Sequence, residues 1–131
     1  MRLPKTFQKN ILVKPSIVIG SYTEGSSDPT PAEVDISTAK KVMIYADVQT
    51  LNSDPLVLTL KECDESGGTF TTVVDDDGDD IKISIDETGQ FKVNAHNTEQ
   101  YLKVVATQDS GVADEFTAVI CAGEFEDYPL S

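Results

Sequence analysis

The sequence has no tryptophan, one histidine, two cysteines and no apolar run close to the ~20 residues that a membrane-spanning helix needs. His96 cannot complete a zinc site with Cys63 and Cys121, because no CxxC motif or Cys/His pair occurs at the usual ligand spacing. The lack of tryptophan, with aromatic residues at 7%, disfavours a carbohydrate-binding platform of stacked rings. No GxSxG nucleophile motif and no glycine-rich phosphate loop occurs. The sequence therefore predicts neither an enzyme nor a bound cofactor.

Basic residues are also scarce, and they are unevenly placed. The chain has 23 acidic and 10 basic residues, a formal net charge of −13. A surface this acidic repels phosphate backbones and anionic lipids, so neither nucleic acid nor a membrane is an expected partner. Residues 1–14 nevertheless contain four basic groups and no acid, which leaves −17 on the rest of the chain. We expect this basic segment to form an arm whose task differs from that of the acidic body.

The N-terminal residues lack the pattern of a signal peptide. Lys9, Asn10 and Lys14 interrupt the apolar run, and no small-residue cleavage site follows it. We therefore expect the protein to be made in the cytoplasm of a host cell. Cys63 and Cys121 each lie at the end of a strand-like run, which favours buried free thiols. A disulfide between the two cysteines stays open as an alternative.

Most apolar residues are grouped in short runs that indicate strands. These runs are separated by loops of Asp, Gly, Ser and Asn, and they lie at 42–48, 56–60, 70–74, 81–85, 91–95, 101–105 and 116–121. Ile81, Ile83 and Ile85 alternate with polar residues, which is the period of a half-exposed strand. The run 42–48 is apolar on both faces, which predicts a strand inside a sandwich or at a subunit contact.

A chain of 131 residues fits one domain, and no part of it has a sustained helical period, although residues 31–41 could hold one helical turn. Eight or so short strands predict an all-β fold, a single antiparallel β-sandwich or jelly roll with an extended N-terminal arm. We expect residues 1–19 to form the arm (1–14) and a first strand that ends at Gly20. Residues 20–131 would form the sandwich and a short C-terminal tail.

The sharpest chemical feature is the acidic segment at residues 75–80, with five aspartates around Gly78. Oxygen ligands of this kind suit a hard cation such as calcium. An EF-hand loop aligned on Gly78, however, would place Val73 and Ser84 at its first and last ligand positions, so the match fails. Asp77-Gly78 is also a favoured hairpin-turn pair. We interpret the segment as a solvated acidic turn, and a cation site is the alternative.

Two stretches of the chain resemble a known family. Residues 58–71 (LTLKECDESGGTFT) are similar to a strand and loop of the type L-x-E-S-x-D-G-x-x-F/W-T. Residues 100–107 (QYLKVVAT), followed by the run from 116 to 122 (FTAVICA), are similar to an R-Y-V-R-V-x-x-T strand and a final strand. Together they resemble the small β-sandwich head decoration (cement) proteins that are encoded beside the major capsid protein of tailed phages.

The resemblance implies a virion structural protein that binds the outer surface of a phage head and stabilises it, often as a homotrimer. The major capsid protein would be its partner and the capsid exterior its location. We predict that the capsid-binding residues lie on the arm and the tail: Arg2, Lys5, Lys9, Ile11, Leu12, Val13, Lys14 and Tyr128. Two alternatives stay open: a tail or connector sandwich of the virion, and a calcium- or carbohydrate-binding β-module.

Overall fold

The computed structural model describes residues 11–25, 27–37, 39–109 and 111–123. Within these ranges the chain forms strands joined by turns and loops, and it contains no helix that could span a membrane. The strands are β1 (Ile11–Tyr22), β2 (Val34–Asp35), β3 (Lys41–Thr50), β4 (Leu56–Cys63), β5 (Thr71–Thr72), β6 (Lys82–Ile85), β7 (Gly89–His96), β8 (Tyr101–Thr107) and β9 (Asp114–Gly123).

The strands form two antiparallel sheets that pack together as a β-sandwich, which confirms the predicted fold class. The first sheet has the order β1-β9-β3-β7. In the second sheet β2 pairs with β8 and β8 with β4, and the far side of β4 pairs with both β5 and β6. β1 pairs with β9 alone and is therefore an edge strand of the first sheet.

The core lies between the two sheets and is built from alternate residues of the strands, because successive side chains of a strand point to opposite faces. Its members are fully or almost fully buried, and the largest of them are Phe116, Ile17, Ile44, Leu56, Leu58, Leu60, Ile85, Leu102 and Ile120. Truncating one of the leucines to alanine would cost roughly 2–5 kcal/mol, as is typical of a filled core.

β3 lies between β9 and β7, as its two apolar faces suggest. Val42, Ile44 and Ala46 point into the core. Met43, on the opposite face, is also buried, and Tyr45 beside it is half-buried. The outward side of the first sheet therefore carries apolar side chains at its centre.

A buried carboxylate closes one end of the sandwich. Asp114 has no exposed surface, and its two oxygens accept hydrogen bonds from the backbone N–H groups of Asn52 and Ser53, the Ser53 hydroxyl and the Gln108 amide. Burial acts to raise the pKa of Asp114, but the four hydrogen bonds outweigh it and hold that pKa below its usual value. The ionised carboxylate thus ties the β3–β4 and β8–β9 connections together.

Three local expectations differ from the structure. The run 70–74 forms only the two-residue strand β5, because Val74 instead bridges Asp80 across the acidic turn. Residues 31–37 and 39–41 contain no helical turn. The first strand does not end at Gly20 but continues to Tyr22, opposite Asp114.

The two cysteines are free, so the alternative of a disulfide between them is not realised. They lie in different sheets, Cys63 at the end of β4 and Cys121 near the end of β9. Cys63 is buried, whereas Cys121 is half-buried on the outward face of the first sheet. Burial raises the pKa of the Cys121 thiol, which keeps it protonated at neutral pH.

Candidate adhesion surface on the first strand

The residues predicted to bind a partner fall on both sides of the boundary of the described structure. Arg2, Lys5, Lys9 and Tyr128 lie outside the described residues. Ile11, Leu12, Val13 and Lys14 were expected in an arm outside the sandwich, and the structure corrects this for all four. They form the first third of β1, where they pair with Gly123, Ala122, Cys121 and Ile120 of β9.

β1 departs from a regular strand at two points, and these departures decide which side chains it exposes. Ser16 is an extra residue between the pairs Pro15–Val119 and Ile17–Ala118. Farther along, two residues of β1, Val18 and Ile19, face a single residue of β9. Such insertions are β-bulges, which redirect side chains and increase the local twist of a strand.

Both Val18 and Ile19 are 61% exposed, although neighbouring residues of a regular edge strand would alternate between core and solvent. Val13 is 60% exposed, and Lys14 and Pro15 beside it are exposed as well. We call these five residues, Val13, Lys14, Pro15, Val18 and Ile19, the β1 strip. It places three β-branched apolar side chains in solvent on one strand, with one positive charge among them.

The β1 strip is held rigidly because the strand between its two halves is fixed to the second sheet. The Ser16 hydroxyl donates to the Ala32 carbonyl (2.8 Å) and accepts from the Val104 N–H of β8 (2.9 Å). The Ser16 carbonyl in turn accepts from the Ala32 N–H at 2.7 Å. Ile17, next in sequence, is buried in the core. A pinned surface loses little conformational entropy when a partner packs on it.

The backbone of β1 offers few free groups to a partner strand. Pro15 has no N–H, and the Ser16 carbonyl is occupied by Ala32. The Val18 carbonyl accepts the Tyr22 hydroxyl at 2.6 Å, and the Ile17 carbonyl accepts the Thr117 hydroxyl at 2.7 Å. Contact through the β1 strip is therefore a matter of side-chain packing rather than of strand addition.

Two of the four predicted contact residues within β1 belong to this surface. Val13 and Lys14 are exposed, whereas Leu12 is half-buried and packs against the core, because it lies opposite Ala122 on the inner face. Lys14 reaches toward the second sheet: hydrogen bonds from Gln100 and Ser37 lower the pKa of Asp35, and the charge of Lys14 adds to this effect. Ile11 begins β1 and pairs with Gly123 of β9.

Sequence reasoning missed Val18 and Ile19 as surface residues. Their run after Pro15 reads as an ordinary first strand, and only the pairing with β9 reveals the bulge. The one available signal is the triple Ile17-Val18-Ile19 itself, since a half-exposed edge strand rarely needs three consecutive β-branched apolar residues.

The acidic segment forms a self-contained turn. The Asp75 carboxylate accepts hydrogen bonds from the N–H groups of Asp77 and Asp79, both at 2.9 Å, and the Gly78 N–H binds the Asp75 carbonyl. Carboxylate oxygens of Asp75, Asp77 and Asp79 lie within 4.8 Å of one another, and all three residues are exposed. The Asp76 carboxylate lies 3.5 Å from Nε2 of His96 in β7. This is the geometry of the predicted acidic turn.

Comparison with known proteins adds a likeness of fold. No protein-family model matches the sequence, and no curated protein matches it. The crystal structure of the SPBc2 prophage-derived protein YomS is similar, with a TM-score of 0.56 and 9% identity over 88% of this chain and 94% of that chain. At this identity the likeness shows the fold alone.

Two further structures are more distant. Eiger TNF from S. frugiperda has a TM-score of 0.48 and 9% identity, over 93% of this chain and 98% of that chain. The CBM36-1 domain of a multidomain xylanase from the hindgut metagenome of Trinervitermes trinervoides has a TM-score of 0.45 and 11% identity, over 90% and 100%. Scores this low carry no argument about function.

Proposed function

We propose that this protein is a structural component of a tailed-phage particle, a decoration protein that binds the outer surface of the head through its β1 strip. The observation that carries the proposal is the exposure of Val13, Val18 and Ile19 on a strand that Ser16 pins to the opposite sheet. Exposed apolar groups on a rigid edge are typical of an adhesion surface. The resemblance of residues 58–71 and 100–122 to head decoration proteins supports this, and the prophage origin of YomS agrees with it.

The mechanism is adhesion without chemistry. Complete burial of a valine or isoleucine side chain contributes about 1.5–3 kcal/mol, so three such side chains supply several kcal/mol. That sum is comparable to the free energy that association costs, which predicts weak binding of a single copy. Many copies on one shell, each touching more than one capsomer, would convert weak contacts into durable ones.

The partner in this proposal is the major capsid protein, and the place of action is the capsid exterior after synthesis in the host cytoplasm. Copies of the chain would act together as a homo-oligomer such as a trimer. Neither a nucleic acid nor a membrane is part of the mechanism, since a formal charge of −13 repels both. The basic groups Arg2, Lys5 and Lys9 would assist by meeting acidic groups on the shell.

The decisive experiment is co-sedimentation with empty phage heads. The double variant Val18→Ser/Ile19→Ser removes apolar side chains that contribute little to the core, so it should fold normally and lose at least tenfold in head binding. The matched control is Val74→Ser/Val112→Ser, which alters two other valines that are 52% and 58% exposed. Equal head binding by the two variants would reject the β1 strip as the anchor, and no binding by the unaltered protein would reject the function.

A further inference from the structure

A second surface, on the opposite side of the sandwich, has a charge that contrasts with the rest of the molecule. Lys61 of β4 lies directly opposite Lys103 of β8, and Lys82 of β6 lies opposite Thr59, two residues before Lys61. All three lysines alternate with buried residues of the second sheet, so they point outward. We call them the lysine face.

Two of the three lysine side chains, Lys61 and Lys103, contact neutral groups. The Lys61 ammonium donates to the Thr72 hydroxyl at 2.8 Å, and the Lys103 ammonium lies 4.4 Å from the centre of the Phe70 ring. None of the three forms an ion pair with a carboxylate of the described residues. Glu33 is close enough for the charge of Lys103 to contribute to its lowered pKa, but its oxygens accept the Ser66 hydroxyl and the Gly67 N–H.

This arrangement has an electrostatic cost. Like charges directly opposite each other in a sheet destabilise it, and Lys61 and Lys103 are such a pair. The chain has 23 acidic residues, yet none of the described ones forms an ion pair with Lys61 or Lys103. A positive surface left unneutralised on an acidic protein is complementary to a partner with clustered carboxylates.

The acidic turn at residues 75–80 of the same chain has the matching charge. Its five aspartates are exposed. Its Asp76 carboxylate lies 3.5 Å from Nε2 of His96 in β7. One molecule therefore presents both a positive surface and a negative surface.

We propose that the lysine face of one copy receives the acidic turn of a second copy. The contact joins two different surfaces, so one copy can bind a neighbour through its lysine face and another neighbour through its acidic turn. Copies joined in this way form a ring around an axis or an open row. This deepens the proposed function, on which it rests, because it states how adjacent copies on a shell would touch. Nucleic acid is a poorer occupant, since the remaining charge of the molecule repels a polyanion along its whole length.

The magnitude of the effect sets the conditions under which the contact forms. Exposed ion pairs are individually weak and are screened by salt. Three such ion pairs do not hold two molecules together in dilute solution, because the free energy lost on association is larger than the free energy that the ion pairs contribute. Copies that a particle surface has already concentrated would make the contact readily. The test must therefore detect weak association.

The experiment is an NMR titration of ¹⁵N-labelled protein with concentrated unlabelled protein. Unlabelled wild type should shift the amide signals of both surfaces, at residues 59–61 and at 75–80. When the unlabelled protein is instead the face variant Lys61→Gln/Lys82→Gln/Lys103→Gln, its intact acidic turn should still shift the amide signals of residues 59–61 in the labelled wild type. The signals of the labelled turn, residues 75–80, should not move, because the variant lacks the lysines that would bind it. The turn variant Asp77→Asn/Asp79→Asn/Asp80→Asn should do the reverse. A control variant, Lys40→Gln/Lys92→Gln, should behave as wild type.

Several outcomes would overturn the contact. The contact does not form if no amide signal shifts with concentration, or if only the signals of β1 shift. It is not made by these two surfaces if neither triple variant alters the shifts. The lysine face has a different occupant if a DNA oligonucleotide shifts its signals and a second copy of the chain does not. Added salt at about 0.5 M should abolish the shifts, since screening then acts over a few ångströms. No heads are present in this titration, so a negative result leaves the head-binding test to decide the proposed function separately.

Discussion

The Ser16 hydroxyl accepts a hydrogen bond from the backbone N–H of Val104, 88 residues away in the sequence, and so joins the edge strand of one sheet to the middle of the other. Because the same hydroxyl donates to Ala32, this buried side chain uses both its donor and its acceptor capacity. A second bulge, directly after Ile17, leaves Val18 and Ile19 exposed to solvent. Two neighbouring irregularities in β1 therefore anchor the strand and shape its exposed surface.

Replacing Ser16 with alanine should lower the free energy of unfolding by about 1–3 kcal/mol, because the buried Val104 N–H would lose its partner. Urea denaturation measures the change. The control is Ser21→Ala, an exposed serine of the same strand, which should have little effect. If the two variants are equally stable, the hydroxyl does not anchor the edge strand.

Asp114→Asn should also destabilise the protein, by about 1–3 kcal/mol at neutral pH, because an amide cannot accept all of the hydrogen bonds that the carboxylate accepts. The folded-state pKa of Asp114 lies below its usual value of roughly 3.9, so its stabilising effect is present above that pH and is lost as the pH falls through the folded pKa. Urea unfolding of wild type and variant should be measured at neutral pH and in acid. The difference between their free energies of unfolding should be smaller in acid.

The matched control for this pH dependence is Asp86→Asn, which alters an exposed carboxylate just after β6. Its stability should follow that of the wild type over the whole range. A difference between wild type and Asp114→Asn that is constant with pH would show that the charge of Asp114 is not the source of its effect.

Removal of residues 1–10 should leave the melting temperature nearly unchanged, since the sequence predicts a basic arm there, outside the sandwich. Removal of residues 1–14 should lower it, because four strand pairs with β9 and the packing of Leu12 are lost. For a chain of this length, each kcal/mol lost lowers the melting temperature by roughly 4 °C. Thermal melts followed by circular dichroism compare the two truncations, and identical melts would contradict the place of residues 11–14 in β1.

Calcium should change the melting temperature little. The Asp75 carboxylate is already engaged by two backbone N–H groups, and the turn lacks EF-hand ligand spacing. If a native calcium site existed, a calcium concentration of about 100 times its dissociation constant would raise the free energy of unfolding by about 2.7 kcal/mol. Melts with and without calcium measure the effect, and a clear rise that disappears in Asp77→Asn/Asp79→Asn would overturn the assignment of a simple turn.

The fold could be predicted from the sequence wherever the pattern is local. Ile83 and Ile85 are buried and alternate with the exposed Lys82 and Ser84, as the period-2 pattern predicts. Strand identity follows from such alternation because it depends on neighbouring residues only. The exposure of both Val18 and Ile19 could not be predicted, since it depends on their register with a strand about 100 residues later.

The candidate surfaces also divide into features that the local sequence predicts and features that depend on long-range strand pairing. The sequence predicts Val13 and Lys14 as contact residues of a basic arm, and both are exposed, although they lie in β1. The opposition of Lys61 and Lys103, in contrast, results from the pairing of β4 with β8, and nothing in either local sequence specifies this partner. Charge counting finds the excess of acid but does not reveal which positive groups the fold collects on one face.

The occupied backbone of β1 has a consequence for the behaviour of the protein in a crowded cell. A long edge strand with exposed β-branched residues is ordinarily a template for fibril growth, since unpaired N–H and C=O groups recruit further strands. Here Pro15 lacks an N–H, and the carbonyls of Ser16 and Val18 already have donors. Along this part of β1, the addition of a further strand is therefore disfavoured although the apolar side chains are exposed.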